Sequence, residues 1–145
     1  MNLIDQIIAD EIYEGAHNRF AYKCPLGKWT IGYGRNIDED GGKGITEAEA
    51  RIMLHGDLIE CDNDLSRLFG VEFWKELGSV RRYALINMRY QLGPNRFRGF
   101  VNMISAVKKR QWGLAMHEIL DSNYALQVPR RAERIAFEIS DGIST

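Results

Sequence analysis

The sequence contains no long hydrophobic run. No apolar stretch approaches the roughly 20 residues that a membrane-spanning helix needs, so neither a transmembrane helix nor stable membrane association is predicted. The opening, MNLIDQIIADEIYEG, places acidic residues within an apolar pattern and has no basic start. We therefore expect no cleavable signal peptide and a mature protein that begins in a cytoplasm.

Cysteine and histidine are also scarce. The two cysteines, Cys24 and Cys61, are too few for a disulfide framework, and the three histidines are scattered along the chain. Neither residue type shows the paired spacing of a zinc site. We expect two free thiols, no metal and no other cofactor.

The chain is long enough to form one domain with a hydrophobic core: it has 145 residues, of which 45% are hydrophobic. Its charge is unevenly distributed. Residues 1–79 carry 8 basic and 15 acidic side chains, whereas residues 80–145 carry 11 and 5. A basic half is typical of proteins that bind an anionic polymer, although an ordinary charge dipole explains it equally well. No basic motif interleaved with aromatic residues supports nucleic-acid binding.

The first half of the chain predicts a helix, a few short strands and a longer helix. Apolar residues recur at helical spacing over the first dozen residues, with Asn2 as N-cap and an end near Gly15. Residues 20–37 are rich in aromatic and β-branched residues and contain a Pro-Leu-Gly turn, which predicts short strands. Residues 38–44 predict a loop. Thr46 and Glu49 form a capping-box pattern ahead of a helix over about 46–69.

The second half predicts a cluster of helices. Helical patterns cover residues 79–93, 100–112, 113–122 and 129–140, with Pro129 as a first helical residue. The apolar residues of these helices are more typical of a core than of a binding site. On that basis we predict packing roles for the following residues: Met88, Met103, Met116, Trp74 and Trp112. The predicted class is α+β and mostly helical.

The stretch YEGAHNRFAYKCPLGKWTIGY, residues 13–33, raises the question of function. Taken singly, its polar residues have ordinary explanations. A glutamate at a helix end is usually solvated, a lone cysteine in a strand is usually a small buried residue, and a threonine in a strand is usually structural. Only the ordered combination of Glu14, Cys24 and Thr30 points to a site.

Several blocks together resemble the T-even phage lysozyme family of endolysins, glycoside hydrolase family twenty-four. The blocks follow the family's order nearly from end to end: Tyr13-Glu14-Gly15, Cys24 with Thr30-Ile31-Gly32-Tyr33-Gly34-Arg35-Asn36, Gly44-Ile45-Thr46-Glu47-Ala48-Glu49-Ala50, Arg81 to Met88, and Gln127 to Arg134. The resemblance implies a single lysozyme-like domain over residues 1–145. A trimmed strand-bearing lobe (about 15–45) and a helical lobe (about 70–145, with helix 1–13) would be joined by the helix over about 46–69.

The resemblance also implies an activity, the hydrolysis of the β-1,4 bond between N-acetylmuramic acid and N-acetylglucosamine in bacterial peptidoglycan. Glu14 falls on the catalytic acid, and Thr30 on the threonine that helps to hold the attacking water. Cys24 falls on a position that many relatives fill with aspartate, so it would place the water or act as nucleophile. Arg131 falls on the arginine that pairs with the acid, while Gln91 and Tyr124 fall near cleft-lining positions.

The sequence departs from the family pattern in three places. Nine residues, rather than the usual eight, separate Glu14 from Cys24, which puts the orientation of Cys24 in question because strand side chains alternate between faces. Glu11 is the fallback acid. The segment over residues 35–45 is short, and Arg35 replaces the family's usual histidine.

Three alternatives remain open at this level. A lytic transglycosylase would cut the same bond using only the acid. A wall-binding module would have lost catalysis. A cysteine peptidase or amidase built on Cys24 and His17 lacks any flanking signature. For the leading interpretation we expect a monomer that waits in the host cytoplasm before its release to the periplasm or cell wall.

Overall fold

The computed structural model describes residues 2–15 and 19–145. The chain divides into two compact units, Met1–Ile52 and Met53–Thr145, and the division falls within the second helix. The first unit contains α1 (Leu3–Tyr13), β1 (Tyr22–Lys23), β2 (Trp29–Ile31), β3 (Arg35–Asn36) and the start of α2 (Glu47–Phe69). The mostly helical α+β class is confirmed. The assignment of helix 1–13 to the helical lobe stays a prediction.

Helix α1 begins and ends as the sequence predicts. The Asn2 side chain accepts a hydrogen bond from the Asp5 amide at 2.9 Å, which satisfies one of the free N–H groups of the first turn. At the other end Glu14 is the C-cap residue and Gly15 has a φ of 96°. A positive φ of this kind favours glycine, which explains why the helix stops there.

The three strands form an antiparallel sheet in the order β1-β2-β3. The β1–β2 connection is the predicted turn, in which the Gly27 amide donates to the Cys24 carbonyl at 2.8 Å and the Cys24 amide donates to the Lys28 carbonyl at 2.9 Å. The register pairs Tyr22 with Thr30 and Thr30 with Asn36. Directly paired residues lie on the same face, so these three side chains share one face of the sheet.

Glu49 joins the sheet to the start of α2. Its carboxylate accepts two hydrogen bonds from the Arg35 guanidinium, at 2.8 and 2.9 Å, and one from the Thr46 amide at 2.9 Å. The Glu49 amide in turn donates to the Thr46 hydroxyl at 3.1 Å, which confirms the capping box. The Arg35 hydrogen bonds, with help from the Thr46 amide, lower the pKa of Glu49 to about 2.

The loop over residues 38–44 is also tied to the sheet. Asp38 accepts hydrogen bonds from the Trp29 amide and the Asp40 amide, each at 2.9 Å. Lys28 forms an ion pair with Asp40 at 2.8 Å. These contacts hold the loop against the turn that precedes β2.

The second unit is a helical cluster. After α2 it comprises α3 (Val71–Glu76), α4 (Ser79–Leu92), α5 (Pro94–Arg98), α6 (Val101–Lys108), α7 (Trp112–Leu120), α8 (Asn123–Gln127) and α9 (Pro129–Asp141). Met88, Met103 and Trp74 are buried in its core, as predicted. Met116 and Trp112 are partly buried and pack against that core. Every described helix is too short or too polar to cross a membrane.

A buried ion cluster fixes α2, α4 and α5 to one another. Asp64 accepts from Arg89 at 2.8 Å and from Arg98 at 2.7 and 3.0 Å. These hydrogen bonds, those from Arg98 foremost, keep the pKa of Asp64 well below its usual range. A buried carboxylate needs such partners because an unpaired charge would be costly to remove from water.

The sequence did not predict the short helices α3, α5 and α8, which have only five or six residues. So short a segment carries too few apolar residues to show a period. The sequence also predicted one helix over residues 100–112, which is too long. In the structure α6 ends at Lys108, Arg110 adopts a φ of 56°, and Trp112 begins α7.

The Glu49 contacts generate a testable prediction for the strand-bearing unit. Glu49→Gln should speed amide hydrogen exchange in peptides spanning residues 22–36 about fivefold, because it removes the ion pair and weakens the cap. The depressed pKa means that this stabilisation is present above the ordinary glutamate value of about 4.3 and is lost as the pH falls toward about 2. Protection of these amides, measured as the exchange rate relative to the intrinsic rate at each pH, should therefore decrease across that window in the wild type.

Glu47→Gln is the matched control. Glu47 lies in the same first turn of α2, and its ion pair with Arg51 is largely exposed. Exchange in the sheet should not change in this variant. Equal acceleration in both variants would contradict the role assigned to Glu49.

Candidate active site

Glu14, Cys24 and Thr30 line one pocket within the strand-bearing unit. The cavity has a volume of about 300 Å³ and is lined by Glu11, Glu14, Tyr22, Cys24, Pro25, Leu26, Thr30, Gly34 and Asn36. The residues come from the end of α1, the face of the sheet that carries Thr30, and the two strand connections. The structure thus brings the three predicted residues together.

The extra residue between Glu14 and Cys24 does not turn Cys24 away from Thr30. Cys24 follows β1 at the start of the turn and lines the same cavity as Thr30. Residues 16–18, which lie between Glu14 and Cys24 in the sequence, are outside the described part of the chain. His17, the partner required by the peptidase alternative, is among them.

The surroundings of Cys24 favour its thiolate. Its side chain is half-buried and is a free thiol. A hydrogen bond from the Lys28 backbone lowers the pKa of Cys24 most; partial burial opposes this effect, and the Leu26 backbone and the Thr30 hydroxyl lower it further. Hydrogen bonds that stabilise the charged form shift a pKa in this direction.

Thr30 is held in place by its own strand. Its side chain is only 3% exposed, and its hydroxyl donates to the Lys28 carbonyl at 2.9 Å. A hydroxyl has one proton and two lone pairs, so in this arrangement Thr30 can accept from a water or from a thiol. It must turn away from the carbonyl before it can donate to the thiolate of Cys24.

The pocket also contains two polar residues that sequence reasoning did not select, Tyr22 and Asn36. The side-chain oxygen of Asn36 accepts from the Asp38 amide at 2.9 Å, which leaves its amino group as a donor. Strand alternation was the signal that could have found both, because they pair with Thr30 across the sheet. Glu11, named only as the fallback acid, lines the pocket too.

The supporting residues predicted near the cleft lie in the helical unit. The Tyr124 hydroxyl donates to Gln91 Oε1 at 3.0 Å, and burial raises the pKa of Tyr124. Arg131 donates to Asn87 Oδ1 at 2.7 Å and borders an apolar groove of about 320 Å³ on the same unit. Pairing of Arg131 with Glu14 stays a prediction.

Within the described residues, no three His, Cys, Asp or Glu side chains are placed so that they could hold a metal ion. The polar side chains that line the pocket supply two carboxyl groups, a thiol, the hydroxyls of Thr30 and Tyr22 and the amide of Asn36. Such a set can donate a proton, accept a proton and orient a water molecule.

The two cysteines should differ in reactivity. Because the thiolate is the reactive form, Cys24 should be alkylated by iodoacetamide at neutral pH at least about tenfold faster than Cys61. Cys61 is 2% exposed, and burial raises its pKa. Peptide mass spectrometry over a time course measures both rates in one sample, and faster labelling of Cys61 would contradict this description.

Thr30→Val supplies the matched control for that measurement. It removes the hydroxyl that helps to lower the pKa of Cys24 and preserves the side-chain shape. Labelling of Cys24 should slow at neutral pH and recover at alkaline pH, where the thiolate forms without help.

Comparison with known proteins places the chain in a family. Residues 11–133 match the phage lysozyme family. Probable T4-type lysozyme 1 of Dictyostelium discoideum is 28% identical over 118 residues, which cover 77% of this chain and 66% of that protein. An endolysin of Acyrthosiphon pisum secondary endosymbiont phage 1 is 27% identical over 85 residues, which cover 59% of this chain and 55% of the endolysin.

A third relative shows the same likeness inside a much larger protein. The pre-baseplate central spike protein of Enterobacteria phage T4 is 30% identical over 110 residues, which cover 75% of this chain but only 19% of the spike protein. Because the family match covers most of the sequence, the chain belongs to the phage lysozyme family and is, by that membership, a lysozyme-type glycoside hydrolase.

Proposed function

We propose that this protein is an endolysin-type muramidase that hydrolyses the β-1,4 bond between N-acetylmuramic acid and N-acetylglucosamine in bacterial peptidoglycan. The observation that carries the proposal is the shared pocket of Glu14, Cys24 and Thr30 in a chain of the phage lysozyme family. These are the three residues that the family resemblance selects for catalysis.

Glu14 acts as the general acid. A glycosidic oxygen is a poor leaving group, so the bond breaks only when a positioned acid protonates that oxygen. Glu14 gives its proton to the leaving oxygen, which keeps the electron pair of the broken C–O bond. Positive charge develops on the sugar left behind, and a water molecule completes the hydrolysis.

Cys24 and Thr30 act on the opposite side of the reaction. The Thr30 oxygen accepts a hydrogen bond from the water and so orients it. The lowered pKa of Cys24 increases the thiolate fraction, which can stabilise the positive charge or accept a proton from the water. A thiolate is also a strong nucleophile, so a covalent thioglycoside is the competing route.

The helical unit supplies the supporting contacts. The family resemblance assigns Arg131 the role of the arginine that pairs with the catalytic acid, and it assigns Gln91 and Tyr124, which are hydrogen-bonded to each other, the role of substrate contacts. The excess of basic residues over positions 80–145 favours attraction to an acidic wall polymer. We further propose that the protein is a monomer and is released from the host cytoplasm to the periplasm or cell wall.

A lytic transglycosylase is the second candidate function, and the cysteine at position 24 supports it. A thiol with a lowered pKa is still less fully ionised at neutral pH than a carboxylate, so Cys24 is the weaker partner for activating water. An enzyme that uses only an acid would then close an anhydro ring instead. The masses of the soluble products separate the two reactions by one water.

Loss of turbidity of purified peptidoglycan, with mass spectrometry of the products, tests the proposal. Glu14→Gln should lower the rate at least about 100-fold, because it removes the general acid. Cys24→Ala should lower it about tenfold or more, and Cys24→Asp should retain activity because it supplies a carboxylate at that position. The products should be hydrated muropeptides.

Glu39→Gln is the control, since Glu39 is exposed in the loop over residues 38–44 and outside the pocket. Its rate should equal that of the wild type. Full activity of Glu14→Gln would remove Glu14 from the acid's role and contradict the assignment.

A further inference from the structure

Glu11 is a second carboxyl group on the pocket that the proposed reaction leaves unused. It lies one helical turn before Glu14, and both residues line the cavity. Glu11 belongs to helix α1 itself and is half-buried, whereas Glu14 is the exposed C-cap residue. Its backbone is therefore held by the helix, and its side chain is the less solvated of the two.

The Glu11 carboxylate lies next to Gly34, where the lack of a side chain leaves room for it. A Cβ atom built on Gly34 would lie 2.5 Å from Oε2 and 2.8 Å from Oε1 of Glu11. Real Cβ atoms do not approach so closely, so the carboxylate occupies the space that a side chain at position 34 would fill. Gly34 lies in the turn between β2 and β3, so this contact seats Glu11 against the sheet that carries Thr30.

The proposed hydrolysis needs a group that can act as a general base. When water attacks the sugar directly, the acid at the leaving oxygen is paired with a base that takes a proton from the water, and in inverting glycosidases both groups are carboxyl groups. At the second position this chain has a cysteine, and a thiol with a lowered pKa is still less fully ionised at neutral pH than a carboxylate would be. A carboxylate that already lines the pocket would make up for the missing aspartate.

We propose that Glu11 is the general base of the reaction, a role that rests on the proposed hydrolysis. As the C–O bond breaks, Glu14 gives its proton to the leaving oxygen. A water molecule held by Thr30 attacks the sugar carbon and passes one proton to the Glu11 carboxylate. Exchange with solvent then returns Glu11 to its ionised form and Glu14 to its protonated form, so protons balance over one turnover.

Glu11→Gln and Glu11→Ala test this role. Each should lower the rate of peptidoglycan hydrolysis at least about 100-fold, because general base catalysis contributes on that order. Asp10→Asn is the matched control, since it neutralises the neighbouring exposed acid on the same helix and should leave the rate unchanged. Thermal unfolding of each variant shows that the loss is not one of folding.

Azide distinguishes a base from an acid or a structural residue. Azide attacks the sugar carbon without losing a proton, so it bypasses the need for a base. In Glu11→Ala, added azide should restore the rate at least about tenfold and yield a glycosyl azide of the expected mass. Glu14→Gln should not be rescued in this way, because its leaving oxygen still lacks a proton.

A pair of glycine variants tests the geometry without touching either acid. Gly34→Ala should displace the Glu11 carboxylate and lower the rate at least about tenfold. Gly32→Ala lies in the same turn, also at a positive φ, but its added methyl group would meet no atom within 4 Å. Both substitutions strain the backbone, so only the Gly34 variant should lose activity beyond its loss of stability.

The outcomes separate this inference from the proposed function. If the wild type releases no sugars from peptidoglycan, the proposed function fails and the inference fails with it. If the wild type is active, Glu14→Gln is inactive and Glu11→Gln stays within threefold of the wild type, only the role of Glu11 is overturned. Loss of activity in Glu11→Ala without azide rescue would also overturn its role as base.

Discussion

The ion pair between Arg35 and Glu49 is the contact on which the strand-bearing unit depends. The sheet has three strands of two or three residues, and Thr30 is the only residue buried in the described part of that unit, residues 2–15 and 19–52. Burial of apolar surface therefore contributes little there. The ion pair, the capping box and the Asp38 contacts stabilise the unit instead, and they position the sheet face that lines the pocket.

The pocket is assembled from three local rules of chain geometry. Strand alternation puts Thr30 and Asn36 on one face, a three-residue turn brings Cys24 back beside Thr30, and Gly34 leaves room for a carboxylate from α1. The thiol is then surrounded by hydrogen-bond donors that favour its charged form. A group that is an inert small residue in most proteins thereby becomes a chemical participant.

Local signals in the sequence predicted most of this arrangement. Three of these signals are the N-cap at Asn2, the capping box at Thr46 and the first-turn proline at Pro129. Each acts through side-chain or backbone chemistry within a few residues, so it could be predicted from the local sequence. The ordered family motifs selected Glu14, Cys24 and Thr30. The short helices could not be predicted, because one turn of helix has no period.

Other features could not be predicted because they depend on contacts between distant residues. The pairing of Arg35 with Glu49 spans fourteen positions, and nothing in either local pattern identifies the partner of Arg35. The ion cluster of the buried residues Asp64 and Arg89 with the partly exposed Arg98 brings together charges from three helices. The approach of Glu11 to Gly34 likewise appears only once the helix and the turn are both in place.

We propose that this pocket adds water across a glycosidic bond of peptidoglycan. The most direct measurement digests purified peptidoglycan in water enriched in oxygen-18 and determines the mass of each soluble fragment. Hydrolysis should place one heavy oxygen at the new reducing end that each cleavage creates. Unlabelled anhydro fragments, lighter by one water, would show that the enzyme is a transglycosylase and would contradict hydrolysis by this site.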